Sequence, residues 1–314
     1  MKRMPATSRR KTRPSLSHRS SVAASKPLEI LRAGSFEELP WLVHAFSTRQ
    51  AGVSTCYGGR TLNLGLTPQD IKANVERNRA MLLNALGATN GKGRIWPLVQ
   101  AKQIHSAIVH RVGQPESEPE PMTGDGTITS IPGLLLAIKT ADCVPVLVAD
   151  KKRRVVGAFH AGWRGTVARI TEKGIGEMRR QFGSVPCDLR AAIGPCIRRC
   201  CYSVGPEVRA EFESQFSYAD QLFEEVFDSN AIHVRYPLLF LNQRAPGHGD
   251  LGPEIHLDLV AANQRQLEDA GLRAEHISVI DGCTACDTTR FFSHRAEFGQ
   301  TGRMMAVIGI KPEL

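Results

Sequence analysis

The sequence predicts an α+β fold, with mixed β-sheets and helices outside them, in one domain covering residues 28–314. Three observations carry this. Leu134–Lys139, Val144–Ala149 and Val155–Phe159 are apolar runs too short for typical helices and rich in Val, Leu and Ile, so they read as strands buried on both faces. They are joined by hairpin-length connections, whereas helical patterns intervene elsewhere, and that mixture gives a mixed sheet. No linker composition interrupts residues 28–314, and no internal repeat at solenoid periods is present.

In chain order, Leu42–Thr48 reads as a strand. Pro68–Asp70 opens a helix from about Ile71 to Leu86, whose apolar positions Ile71, Val75, Met81, Leu82 and Leu86 follow helical spacing. Residues 113–121 (GQPESEPEP) suit only a surface loop. The three central strands follow. HAGWRGT then turns the chain, Val167–Phe182 reads as a helix, and Leu189–Ile193 as a strand ended by a Gly-Pro-Cys turn. Pro206–Phe216 is a helix, and Leu241–Pro253 a Gly/Pro-rich loop. Leu259–Ala270 is a helix closed by Gly271 at the C′ position, and Ile277–Ile280 and Met304–Ile310 are the last strands.

Charge excludes one class of function. The chain carries 40 Lys and Arg against 31 Asp and Glu, a net +9. Eight of the basic residues, from Lys2 to Lys26, lie in residues 1–27, which contain no acid, so the rest of the chain carries only +1. A nucleic-acid-binding fold keeps its basic excess on the folded surface, so no nucleic-acid partner is expected. Residues 1–27 are rich in Arg and Ser and have too little apolar area to offset chain entropy, so they are expected to be a disordered basic tail. That composition also suits an organelle transit peptide. No apolar run approaches the roughly 20 residues that span a bilayer, so no membrane partner is expected. Eight cysteines without an export signal point to a reducing, cytoplasmic setting with the thiols free or on metal.

Chemistry concentrates in three short segments, QIHS (103–106), TADC (140–143) and HAGWRGT (160–166). Each puts a metal-capable side chain at a strand end or turn: His105, Cys143 and His160. Two imidazoles and one thiolate suit zinc, and three protein ligands leave an open fourth position, which distinguishes a catalytic site from a closed structural one. The spacings of 38 and 17 residues do not fix that geometry. The competing reading is of hydrogen-bonded core histidines and a buried cysteine. Cys283 and Cys286 form a C-x-x-C, and Cys196, Cys200 and Cys201 cluster after a turn. A structural zinc would need a second pair at suitable spacing, which the sequence does not identify, so both groups are read as structural residues.

The motifs FSTRQAGVS, LNLG, QIHS, DGTIT, AIKTADCVPVLVAD, GAFHAGWRGT, AAIGPCI, CCYSVGPEV, HLDL, CTACD, FFSHR and GRMMAVI run in this order from residue 46 to 308. Together they resemble the laccase-domain (YfiH-type) family, whose members have been called multicopper polyphenol oxidases and peptidoglycan-editing factors. The resemblance implies a four-layered α/β/β/α fold. It implies a zinc-binding purine nucleoside phosphorylase that takes purine nucleosides and phosphate, deaminates adenosine and cleaves methylthioadenosine. The family's zinc ligands fall on His105, Cys143 and His160. Two departures stand out: Ala51 replaces a glycine of FSTRxGGVS, and the stretch after LNLG, usually Gly-Asp-rich, reads LTPQD.

Phosphorolysis needs a cationic phosphate site, which guanidinium forks suit. Arg164 lies in the Gly162–Gly165 turn that opens a helix, where free N–H groups attract anions. Arg49 and Arg303, both in family motifs, and Asn63 of LNLG complete the expected substrate and phosphate contacts. Each Arg competes with a surface ion-pair reading. Deamination suits a zinc-activated water, and Asp142 is the carboxylate nearest a ligand in sequence, with a turn-stabilising role as its alternative. Ser293, His294 and Arg295 are read as packing residues within reach of substrate.

Two other functions compete with this reading. A multicopper oxidase needs about four coppers held mainly by imidazoles, and the ten His here include no H-x-H pair. A cysteine hydrolase would use Cys143 as nucleophile and His160 as base on a cell-wall peptide amide. Whether Cys143 binds metal separates that reading from the zinc enzyme.

Overall fold

The computed structural model describes residues 27–90, 92–113, 122–227, 235 and 253–313. The tail expected over 1–27 and the loops expected over 113–121 and 241–253 lie almost wholly outside these residues.

Two mixed sheets form the centre. The first has the order β1 (Ile30–Leu31), β2 (Leu42–Ser47), β15 (Met304–Ile310), β7 (Leu135–Thr140), β4 (Leu98–Val99). The second runs β14 (Ile277–Val279), β10 (Leu189–Ile193), β8 (Val144–Asp150), β9 (Val155–Ala161), β6 (Gly126–Thr129), β5 (Val109–Arg111). A small antiparallel sheet of β11 (Ser203–Val204), β13 (Glu254–Leu257) and β12 (Phe223–Val226) stands beside them, and β3 (Gln50–Ser54) bridges to Thr61. Among the described residues the helices are α1 (Lys72–Ala85), α2 (Trp163–Val167), α3 (Ile170–Phe182), α4 (Pro206–Gln215) and α5 (Leu259–Asp269).

The unbroken apolar run of β8 has a simple cause. Val144, Val146 and Val148 face a core shared with Ile170, Ile175 and Met178 of α3 and Leu259 and Leu267 of α5. Leu147 and Ala149, on the alternate positions, face Leu136, Ile138 and Ile308 of the other sheet. That sheet buries its far side, through Leu135, Ala137 and Val307, under Leu82 and Leu83 of α1 and Leu86 at its C-cap. Both faces of the central strands are covered, so no polar residue is needed to break the run. The result is helix, sheet, sheet, helix. Removing a wholly buried side chain such as Phe159 would cost about 3–5 kcal/mol.

Two local departures from the expected pattern have physical causes. The helix expected over Val167–Phe182 is split, because Arg169 is left-handed at φ 61° between α2 and α3. Its guanidinium is held by Glu172 at 2.9 Å and the Gln215 carbonyl at 2.7 Å, and stacks over Phe216. These contacts, two of them from residues far along the chain, offset the conformational cost. Ala51 also sits at φ 65°, the region where a glycine carries no steric penalty of about 1–2 kcal/mol. Gly271 closes the last helix at φ 96°, in keeping with its expected C′ role.

Candidate active site

The ligand spacing becomes intelligible through the ladder. Strands β8 and β9 pair with Val144 opposite Ala161 and Pro145 opposite His160, which brings Cys143, the residue before β8, beside the end of β9. Strand β6 pairs with β9 on the other side, and the backbone N–H of His160 donates to the Asp125 carbonyl at 2.8 Å.

Asp125 organises the rest. One carboxylate oxygen accepts the amides of Ile104 and Ser106 and the Ser106 hydroxyl at 3.1, 2.7 and 2.8 Å. The other accepts the His105 amide at 3.0 Å and His160 Nδ1 at 2.8 Å. Burial disfavours the charged carboxylate, but these donors more than offset it and hold Asp125 well below the usual range. Two consequences follow for the metal-capable side chains. His160 keeps its proton on Nδ1 and turns Nε2 away from Asp125, the arrangement typical of a metal-bound imidazole. The QIHS loop is pinned with His105 left-handed at φ 60°, and Asp142 beside Cys143 is at φ 94°. Such strained residues cost about 1–3 kcal/mol each and gather at functional sites.

The ligand atoms of His105, Cys143 and His160 all lie within 4.8 Å of one another, and His105 Nε2 is 3.9 Å from the Cys143 sulfur. Burial opposes charge on both partners, yet the His160 ring lowers the Cys143 thiol below its ordinary range. The thiolate and Asp125 in turn raise His160 above the usual imidazole range. A bound cation would take the place of the proton that this thiolate–imidazole pair shares, and the donor set fits one: one sulfur and two imidazoles converge within 4.8 Å.

Gly162 is part of this fit. A Cβ there would lie 2.8 Å from the His105 ring and 3.0 Å from the Cys143 sulfur. Its backbone, at φ −72° and ψ 171°, is open to any residue, so the requirement is for space. Gly162→Ala is expected to leave the fold intact and weaken metal binding about tenfold or more, by pushing two ligands off position. Chelator competition and thermal melting together check this.

The trio opens on a cavity of about 420 Å³. Its other walls carry Lys102, Lys139 and Arg303, the loop Gly65–Pro68 and His294. None of the three cations takes part in an ion pair among the described residues. Burial, together with Arg79 and Arg303, pushes Lys139 below the ordinary ammonium range. A larger cavity of about 680 Å³ contains Arg49, Cys56 and Tyr57 but none of the metal-capable trio. The smaller one is the candidate site, because the donors converge there.

Of the residues singled out in the sequence, His105, Cys143, His160 and Arg303 meet at this cavity, together with His294, whose sequence reading is a packing residue within reach of substrate. Asn63 stands behind it: its carbonyl oxygen accepts the Arg303 amide at 2.9 Å and the Gly65 amide at 3.1 Å, and its amide donates to Asp70 at 2.8 Å. It shapes the wall. Asp142 has both oxygens occupied, by the Thr284 hydroxyl and the Arg295 amide, each at 2.6 Å, which matches its turn-stabilising alternative. The structure does not bring Arg49 to the cavity. That side chain is buried, donates to Glu297 at 2.9 Å and to three backbone carbonyls, and stacks on Phe292. Nor does Arg164 line it; exposed on the five-residue α2, it stacks over Trp163 at 4.2 Å. Asp125, Lys102, Lys139 and Gly162 were not singled out. The readable signal for Lys139 was a lone cation inside an apolar strand, and for Asp125 an acid at the head of DGTIT.

Residues 43–311 match the family model described as multi-copper polyphenol oxidoreductase laccase. The chain belongs to that family. Within this laccase family it is 38% identical over 275 residues to a purine nucleoside phosphorylase of Deinococcus radiodurans, covering 85% of this chain and 88% of the other. It is 34% identical over 213 residues to adenosine deaminase RL5 from an unknown prokaryote, covering 66% and 72%. The crystal structure of the Bacillus licheniformis hypothetical protein YfiH superposes with a TM-score of 0.73 at 30% identity, covering 91% of this chain and all of that one. Among the described residues no helix is long and apolar enough to cross a membrane.

Asp125→Asn gives this laccase-family site a direct test. It keeps the size of the side chain but removes the anion that holds His160 and three amides. Metal affinity is expected to fall roughly 10–100-fold. Competition with a metal-binding dye measures it.

Proposed function

We propose that the chain is a zinc-dependent purine nucleoside phosphorylase, cleaving adenosine, inosine, guanosine and methylthioadenosine, with adenosine deaminase activity as well. The observation that carries this reading is the pairing of two features across one cavity: a two-imidazole, one-thiolate set and a wall of cations without acidic partners among the described residues. Relatives named for each activity support it. The oxidase label in the family's description asks for several imidazole-rich copper sites, whereas the trio is a single three-donor set.

Zinc held by His105, Cys143 and His160 would supply Lewis-acid polarisation and water activation. Arg303 and Lys139 hold phosphate as a bidentate fork and a point charge. In phosphorolysis a phosphate oxygen bonds to the sugar C1′ while the bond to the base breaks, and its electron pair leaves with the base, which takes a proton. In deamination water adds at C6 and ammonia leaves. His294 is the lining imidazole outside the ligand set, which makes it the group to carry protons in either reaction. The reading carries a cytoplasmic location, where thiols stay reduced and nucleosides and phosphate are present.

One observation favours a second reading. Cys143, His160 and Asp125 also form a thiol, imidazole and carboxylate line, as a cysteine hydrolase acting on a peptidoglycan peptide amide would require. Alkylation separates the two. Iodoacetamide labelling of Cys143 is expected to be blocked by stoichiometric zinc with nucleoside cleavage retained. Rapid labelling of the active protein, with loss of an amidase activity, would favour the hydrolase.

A further inference from the structure

The chain brings a second set of donors together, away from the cavity. Cys200 and Cys201 lie in the turn after β10, and Cys283 and Cys286 in the turn after β14. The two strands are parallel neighbours, Ala191 opposite Ile277, so the turns that leave them emerge side by side. A backbone bridge between Cys196 and Cys283, and the Thr284 amide donating to the Cys196 carbonyl at 3.0 Å, hold the turns in register. The sulfurs are 3.5 Å apart for Cys200 and Cys286, 3.2 Å for Cys201 and Cys286, and 3.7 Å for Cys200 and Cys201, and all four lie within 4.8 Å of one another.

We propose that Cys200, Cys201, Cys283 and Cys286 bind a second zinc ion, in a closed tetrathiolate site that clamps these two turns together. Three arguments carry it. With a zinc–sulfur distance of about 2.3 Å, a tetrahedral site has sulfur–sulfur edges of about 3.8 Å, and the observed separations need only small side-chain adjustments to reach that. The Arg198 amide donates to the Cys283 sulfur at 3.4 Å, an N–H to sulfur bond that favours the thiolate a metal needs. Four thiols fill the coordination sphere, which makes the site structural. A cluster bridging several irons is larger than this group of sulfurs allows.

The clamp reaches the first centre. Thr284, inside the C-x-x-C, donates its hydroxyl to Asp142, which precedes Cys143 and takes the Arg295 amide on its other oxygen. Zinc at the quartet thus braces the turn that presents Cys143. On binding, the thiols give up their protons to solvent and no redox step is involved.

Metal analysis of the full chain, purified without chelator and challenged with Zn2+ alone, tests this. The wild type is expected to hold about two zinc ions per chain, Cys143→Ala about one and Cys286→Ser about one. If Cys286→Ser fails to fold, Cys143→Ala still decides: its remaining zinc is expected to be released by titration with an organomercurial, with a lower melting temperature. Zinc that vanishes entirely in Cys143→Ala overturns the proposal. So does an intact mass, without reductant, that is two hydrogens short through a Cys201–Cys286 disulfide, or iron in place of zinc. A wild-type protein with one zinc, kept in Cys143→Ala and lost in Cys286→Ser, supports the second site and overturns the first.

Discussion

Cys143→Ala is expected to abolish nucleoside cleavage and adenosine deamination together, to the background of the assay. Cys143 is the one anionic donor of the trio, and the sulfur through which burial and His160 set the local charge. Without it, two imidazoles remain, one held by Asp125 and the other on a strained loop. Two such donors hold zinc far more weakly than three. The fold does not depend on this thiol: Cys143 is only partly buried, at a turn, and contributes to none of the apolar core clusters. Circular dichroism and melting are expected to stay close to wild type while the zinc of this site and both activities are lost. Retention of either activity at more than a few per cent would separate that chemistry from the metal.

Arg303→Ala is expected to lower phosphorolysis on the order of a hundredfold and deamination much less, because a charged partner of the attacking anion is worth roughly 2.7–4 kcal/mol in a preorganised site. Arg303 lines the cavity, has no carboxylate partner among the described residues and is positioned by Asn63 through its backbone amide. Lys139→Ala is expected to act in the same direction. Arg164→Ala is expected to leave both activities near wild type, since its guanidinium lies on Trp163 outside the cavity. Phosphate KM rising as each cavity cation is removed, with adenosine deamination much less affected, is the pattern to measure. Equal loss of both activities in Arg303→Ala would make it a residue that shapes the wall.

The contrast between Arg303 and Arg164 illustrates what the sequence made legible. The longer helices were readable because each packs one apolar face on a sheet, which spacing records, and the three central strands because a strand covered on both faces reads as a short unbroken apolar run. The break before Ile170 leaves no mark in the spacing of the Val167–Phe182 helix, because the left-handed Arg169 is held through Gln215 and Phe216, far along the chain, as well as through the nearby Glu172. The trio His105, Cys143 and His160 stood out by donor chemistry. Their convergence rests on the β8–β9 register and on Asp125, whose role needs five donors brought together from separate segments. Arg164 looked suited to phosphate by its glycine-flanked turn, but a turn does not say which way a side chain leaves it. The cysteines at 200, 201, 283 and 286 were visible as separate groups, and only the parallel pairing of β10 with β14 makes them one cluster.

On the proposed function, phosphate held opposite the zinc site is the attacker in base release. Product analysis of adenosine turnover by the zinc-loaded protein, with and without inorganic phosphate, tests it most directly. Adenine and ribose 1-phosphate in equal amounts, formed only when phosphate is present, with inosine formed under both conditions, is the predicted result. Adenine with free ribose, released equally without phosphate, would contradict it and make the enzyme a hydrolase.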